Sequence, residues 1–211
     1  MTLPSYQTAC GCVDILMHTM ERYFNHSGSM EITDGIAEAL MQTVIRNAPI
    51  VMQRPEDYNA RAEIMWAGSL SHNGLTDCGC DHGDWATHKM EHELGGLFDV
   101  AHGAGLAAIW GSWARYVCDA DYARFARFAT KVLNVAPQAT DQETALAGIA
   151  AMEQFYRSIQ MPTSLRELGV SPTEEQIQEM ARKCILATKG PAGKVKPLQQ
   201  NDVENIYRAA L

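Results

Sequence analysis

Apolar residues recur along this chain at steps of three and four, and almost nowhere at steps of two. Cys10, Val13, Met17, Met20 and Phe24 form one such stripe. Ile36, Ala37, Leu40, Met41, Val44 and Ile45 form a second, and Ala60, Ile64, Met65, Ala67 and Leu70 a third. The pattern continues from Trp85 to Leu94 and from Gly103 to Val117. A period near 3.6 puts each stripe on one face of an amphipathic helix. No stretch alternates apolar and polar residues over six positions between turns, so the sequence offers no strand.

The punctuation agrees. Pro4 and Ser5 stand where the first helix should begin. Ser71 to Gly83, rich in Gly, Asn, Asp and Cys, reads as a loop. Gly95-Gly96 is expected to stop the helix that starts near Trp85. Thr140 to Glu143, Ser171 to Glu174 and Asn201 to Glu204 each fit a capping box, with Pro172 at a first helical position. Lys189 to Lys194 reads as a linker between two helices. The predicted fold is all-α: a multi-helix, bundle-like single domain over residues 1–211, of eight to ten helices.

Composition excludes several functions. With 211 residues, 46% of them hydrophobic, the chain can bury a core without staples. Its formal charge of −8 leaves no basic excess for nucleic acid or an anionic membrane. The uncharged stretch from Val100 to Ala114 is too short to span a bilayer. The opening residues lack the regions of a signal peptide. Six Cys, four of them in two Cys-x-Cys pairs, read as free thiols in the cytoplasm rather than a secreted disulfide framework. The sequon Asn25-His26-Ser27 then counts as chance.

The histidines are grouped. Asp14 and His18 are four apart beside the apolar stripe of the first helix; His88 and His92 are four apart on a later one; His102 follows at the next helix start. Residues four apart share a helix face. Imidazoles with a carboxylate suit Fe(II), Zn(II) or another borderline divalent ion. On spacing alone His88 and His92 are equal candidates for that ion.

Other motifs fail on detail. His92-Glu93-Leu94 lacks the second His of a zincin helix. No His-Asp dipeptide occurs. Cys78-Gly79-Cys80-Asp81-His82 is too tightly spaced for a zinc knuckle and has no second pair, so it reads as loop. Gly103 to Ala107 formally matches a dinucleotide fingerprint, but no strand precedes it; it reads as small residues packing a helix start.

Residues Asp84 to Gly103 resemble the signature of the iron-containing (group III) alcohol dehydrogenases, and Tyr6 to Phe24 resembles the upstream half of that family's metal site. The wording is nearest the butanol dehydrogenase and NAD(P)H-dependent aldehyde reductase branch. Pro197 to Leu211 resembles the family's C-terminus, so the likeness runs over essentially the whole chain. Asp-x3-His together with His-x3-His-x9-His is specific in combination.

The resemblance implies a fold and a chemistry. The family has an N-terminal α/β nucleotide-binding domain and a C-terminal all-helical metal domain, and this chain resembles only the second. It is therefore read as a fragment, inactive as a dehydrogenase by itself, with its metal site open on one face beside an apolar surface. The implied metal ligands are Asp14, His18, His88 and His102. His92 is implied to lie near the nicotinamide of NAD(P)H as a catalytic and cofactor-binding residue, not a ligand. Asp84 is assigned to a helix cap or to orienting an imidazole. The implied reaction is reduction of a small aldehyde, or oxidation of the alcohol, with the metal polarising the oxygen. Two alternatives remain: a non-catalytic metal-binding module, and a metal-dependent hydrolase. Glycerol dehydrogenase and dehydroquinate synthase resemble the architecture but use other ligand sets. The sequence leaves open the choice of metal, the coenzyme, the alcohol and the oligomeric state.

Overall fold

Pro4 precedes the first helix, where its fixed φ suits a helix start and its missing N–H is not needed. From there the computed structural model, which describes residues 2–25 and 28–211, is built of helices. They are α1 (Ser5–Tyr23), α2 (Glu31–Gln53), α3 (Tyr58–His72), α4 (Ala86–Phe98), α5 (His102–Val117), α6 (Tyr122–Lys131), α7 (Asp141–Ser158), α8 (Glu174–Thr188) and α9 (Gln200–Ala209). Single 3-10 turns occur at Leu75–Asp77 and Cys118–Ala120. Among the described residues the only extended pairing is one bridge, Ala192 to Leu198, which closes the link between α8 and α9. The sequon's His26 and Ser27 lie outside the described residues.

Helix α5 is the hub, packing against α1, α4, α7 and α9. It is apolar nearly all round, as a helix surrounded by others must be. Trp110 and Trp113 from α5 meet Phe24, Phe125, Phe128 and Tyr156 in the main aromatic core. Helix α1 lies between α5 on one side and α2 and α3 on the other. The end of α1 is tied down by Arg124, which donates to Tyr23 O and to both oxygens of the buried Asp34 while its guanidinium covers the Tyr23 ring at 3.7 Å. Exposed Leu3, Tyr58, Met65 and Trp66 leave an apolar surface along α3.

Several boundaries differ from the sequence expectation. Helix α4 runs straight through Gly95 and Gly96 and stops at Asp99, whose left-handed φ of 53° lets its N–H reach Gly95 O. Glycine costs a helix interior about 1 kcal/mol, and at Gly95 the space is used, as described below. Helix α8 is capped by Thr173 in a reciprocal box with Gln176, so Ser171 and Pro172 stand outside it. Gln199, with Asp202 three residues on, caps α9 in place of Asn201. Thr140 caps α7 as expected. Helix α3 includes Ser71 and His72, which the sequence placed in the loop.

Candidate metal centre

Four helices deliver the histidines to one end of the molecule. Helix α1 carries Asp14 and His18 on one face, α4 carries His88 and His92, α5 begins at His102, and α3 ends at His72. The approach of α5 to α1 is very close: a Cβ on Gly103 would lie 2.2 Å from Cys10 O. Only glycine permits that crossing, and it brings His102, the adjacent residue, against α1. The Gly103 to Ala107 segment is thus packing, preceded by helix and not by strand.

The start of α4 is held by a second close approach. Gly83 has φ +74°, and a Cβ there would sit 2.4 Å from Glu21 O. Asp84 N–H donates to that same oxygen at 2.8 Å. The buried Asp84 carboxylate accepts Ala86 N–H with one oxygen, and Lys194 and Val195 N–H with the other. Burial and the nearby Glu21 push its carboxyl up to about 6, against the pull of those amides. Asp84 therefore holds the first residue of α4, just before its N-cap Trp85, and anchors the 189–198 link. Its carboxylate hydrogen bonds go to backbone N–H groups of α4 and the link.

Asp14 Oδ1 is the focus. His18 Nε2 lies 3.7 Å from it, His88 Nε2 3.7 Å and His102 Nε2 3.5 Å. Donors each about 2.1 Å from one tetrahedral ion stand roughly 3.4 Å apart, close to these three distances to Asp14; the donors of Asp14, His18 and His88 all lie within 4.8 Å of one another, and His102 meets them through Asp14. Asp14 Oδ1 and His88 Nε2 are buried with no hydrogen-bond partner in the protein. Buried polar atoms left unpaired are costly, and a cation among them removes the cost. The donor chemistry and the orphaned atoms both fit a borderline divalent ion.

His92 stands apart. It is exposed, with its ring 5.5 Å from that of His102 and 6.3 Å from that of His88. His88, by contrast, is only 4% exposed. One turn of helix thus separates a buried imidazole from an open one. Glu91, His92 and His102 also bring donors within 4.8 Å of one another. Within that second group His102 Nδ1 is hydrogen-bonded to Glu91 Oε2, and the Nε2 of the same ring, 3.5 Å from Asp14 Oδ1, links the two groups.

Three residues near the cluster escaped the sequence reading. Glu21 Oε1 accepts both the N–H and the Nδ1–H of His88, each at 3.1 Å. Glu91 Oε2 accepts Nδ1–H of His102. His72 lies at the mouth, its Nε2 3.6 Å from Asp14 Oδ2 and its ring 3.9 Å from that of His18. Arg22 fixes the end of α3 by donating to Ser71 O. A signal for Glu21 existed: it falls three residues after His18 and seven after Asp14, on their helix face. Glu91 follows His88 by three in the same way. Nothing local connects His72 to Asp14.

The charges reflect this packing. Burial pushes the Asp14 carboxyl up, but the His102, His88 and His18 rings gathered around it outweigh burial and hold it well below the usual range. His102 is raised to about 9 by the Asp14 carboxylate beside it and by its hydrogen bond to Glu91, burial opposing. His88 is raised too: burial depresses it, and Asp14 and Glu21 prevail. Burial lowers His18 to about 4 despite Asp14. His92 is lowered by burial and then by His102.

The Cys78 to His82 segment does not join the centre. Cys78 Sγ contacts Gly74 O and Cys80 Sγ contacts Asp77 Oδ1, in keeping with a loop. All six cysteines are free. No helix among the described residues is long and apolar enough to cross a membrane.

Residues 8–211 match the Fe-containing alcohol dehydrogenase family, C-terminal. NADH-dependent butanol dehydrogenase A of Clostridium acetobutylicum is 35% identical over 208 residues, covering 98% of this chain and 53% of that protein. The NADPH-dependent aldehyde reductase YqhD of Escherichia coli is 34% identical over 169 residues, 80% of this chain and 43% of that one. The crystal structure of NADH-dependent butanol dehydrogenase A from Thermotoga maritima superposes with a TM-score of 0.91 at 35% identity, over 99% of this chain and 53% of that chain. The chain belongs to the Fe-containing alcohol dehydrogenase family and corresponds to its C-terminal helical region. It spans about half the length of these relatives.

Proposed function

We propose that this chain is the metal-binding part of an NAD(P)H-dependent alcohol dehydrogenase or aldehyde reductase, with Asp14, His18, His88 and His102 as ligands to one divalent ion. Fe(II) is the first choice, in line with the family, and Zn(II) the second. The observation that carries this reading is the convergence of three Nε2 atoms on a single Asp14 oxygen at 3.5–3.7 Å. When bound, the ion supplies a Lewis acid for a carbonyl or alkoxide oxygen, and NAD(P)H supplies the hydride.

The chain's own residues do the rest. Asp14 contributes negative charge on one oxygen, and the three imidazoles contribute neutral nitrogen donors. Trp85 packs against the rings of His18 and His88. His92 stands on the open side, where the nicotinamide and substrate would approach. Its lowered pKa favours the neutral ring, able to accept the alcohol's proton and return it in the reverse direction. The substrate class is a small alcohol or aldehyde, and the coenzyme phosphates belong to the portion of the relatives outside this chain. The free thiols support a cytoplasmic setting.

Metal content measured by mass spectrometry tests the ligand set. The wild-type chain and His92→Ala should hold about one ion per chain, whereas His18→Ala and His102→Ala should hold almost none. In the full-length protein His92→Ala should lower turnover with its metal retained. Equal metal loss in all three variants would reject this division of roles.

A further inference from the structure

Behind the inner donors stand two carboxylates that solvent barely reaches: Glu21 and Glu91 are each 2% exposed. Each touches one imidazole and does so at Nδ1, the nitrogen facing away from Asp14. We propose that Glu91 is the positioning residue for His102 and Glu21 the positioning residue for His88. Each carboxylate holds the Nδ1 proton, so that Nε2, which faces Asp14, is the nitrogen that gives its place to an ion. The proposal rests on the metal-centre reading above and deepens it.

The argument is one of donors and acceptors. A neutral imidazole carries one N–H, and the other nitrogen carries a lone pair. An ionised carboxylate only accepts. A carboxylate against Nδ1 therefore places the proton there and frees Nε2 for an ion. Glu21 goes further, because its Oε1 also accepts the backbone N–H of His88. One oxygen thus fixes both the ring and the first turn of α4.

Glu91 has a built cradle. A Cβ on Gly105 would lie 2.6 Å from Glu91 Oε1, and a Cβ on Gly95 would lie 3.0 Å from the same atom. Two glycines from two helices make the room in which this side chain turns toward His102. That accounts for Gly95 inside α4, where propensity argues against it. The remaining oxygens, Glu21 Oε2 and Glu91 Oε1, are buried with no hydrogen-bond partner in the protein. The connections also run in sequence: α1 reaches α4 through Glu21 and His88, and α4 reaches α5 through Glu91 and His102.

The test uses the 211-residue chain with Zn(II) as probe, in competition with a chelator. Imidazole nitrogen NMR is read with and without the ion. Glu91→Ala should weaken Zn(II) binding roughly 10–100-fold, the range for lost outer partners of ligand histidines. Glu91→Gln, nearly the same shape and still able to accept through its amide oxygen, should recover part of that loss. Gly105→Ala, which touches neither His102 nor the ion, should weaken binding in the same direction. In wild type, His102 should show a hydrogen-bonded Nδ1–H that Glu91→Ala removes, in both metal-free and loaded chains. Glu21→Gln should act likewise on His88. Wild-type affinity in Glu91→Ala, or an unchanged His102 Nδ1–H signal, would overturn the proposal. If wild type bound no Zn(II), the ligand assignment would fall, while the metal-free comparison of wild type with Glu91→Ala would still decide whether Glu91 holds the Nδ1–H of His102.

Discussion

A single methyl group at Gly103 should damage both the fold and the metal centre. In Gly103→Ala the new Cβ would fall 2.2 Å from Cys10 O and 2.7 Å from Cys10 Cα. Contact at an ordinary distance requires α1 and α5 to part by about 1 Å, and backbone cannot yield as a flexible side chain can. Overpacking of this kind costs about 1–3 kcal/mol, and backbone against backbone argues for the upper end. For a chain of this length each kcal/mol moves Tm by roughly 2–4 °C, so a loss of roughly 6–12 °C is expected. His102 is the neighbouring residue, and its Nε2 would be carried away from Asp14 Oδ1, now 3.5 Å distant. Zn(II) affinity should therefore fall roughly tenfold or more. Thermal unfolding of the metal-free chain and chelator competition measure the two effects separately. Gly11→Ala is the control. It lies on α1, exposed, and a Cβ there meets nothing within 4 Å. That change should raise stability by up to about 1 kcal/mol. A Gly103→Ala chain with wild-type Tm and wild-type affinity would refute the claim that this crossing positions the centre.

Metal binding should depend on pH through His102. Its folded, metal-free value is raised to about 9, so below that pH an incoming ion must displace a proton. Zn(II) titrations near neutral pH should release about one proton or more per ion, and affinity should tighten as the pH approaches 9. By linkage, the same pairing stabilises the metal-free fold fully below the unfolded imidazole value of about 6.5 and loses that contribution as the pH rises through about 9. A pH-independent affinity across that range would contradict the assignment. His72→Leu should leave metal content at about one per chain, because His72 faces the outer oxygen of Asp14; loss of the ion would make it a ligand. Arg124→Met should destabilise the chain by about 3 kcal/mol in denaturant titration, since it strips the main cation from buried Asp34 and leaves only Arg127 at 3.4 Å. A loss under 1 kcal/mol would show that Arg127 suffices.

The helices were legible because helix formation is local. The stripes from Cys10 to Phe24 and from Ile36 to Ile45 repeat within a few residues, and i to i+4 spacing alone pairs Asp14 with His18 and His88 with His92. The all-α class follows from the same periodicity, and the family from the motif around Asp84 to Gly103. What periodicity could not decide was where each helix ends and which donors meet. Gly95-Gly96 reads locally as a stop, yet α4 continues because Glu91 needs the space beside Gly95. Ser171 and Asn201 read as caps, but Thr173 and Gln199 had better reciprocal partners in Gln176 and Asp202. His88 and His92 are equivalent by spacing; α1 and α5 bury the first and leave the second open. Glu21 and Glu91 are ordinary helix glutamates in the sequence. They become the partners of His88 and His102 because Gly83 and Gly103 let their backbones approach α1 to distances a Cβ would not allow, and Gly105 leaves room for the Glu91 side chain. Local chemistry determined the helices and supplied the donors, while the depth at which those helices cross, set by contacts between residues far apart in the chain, decided which donors share one point.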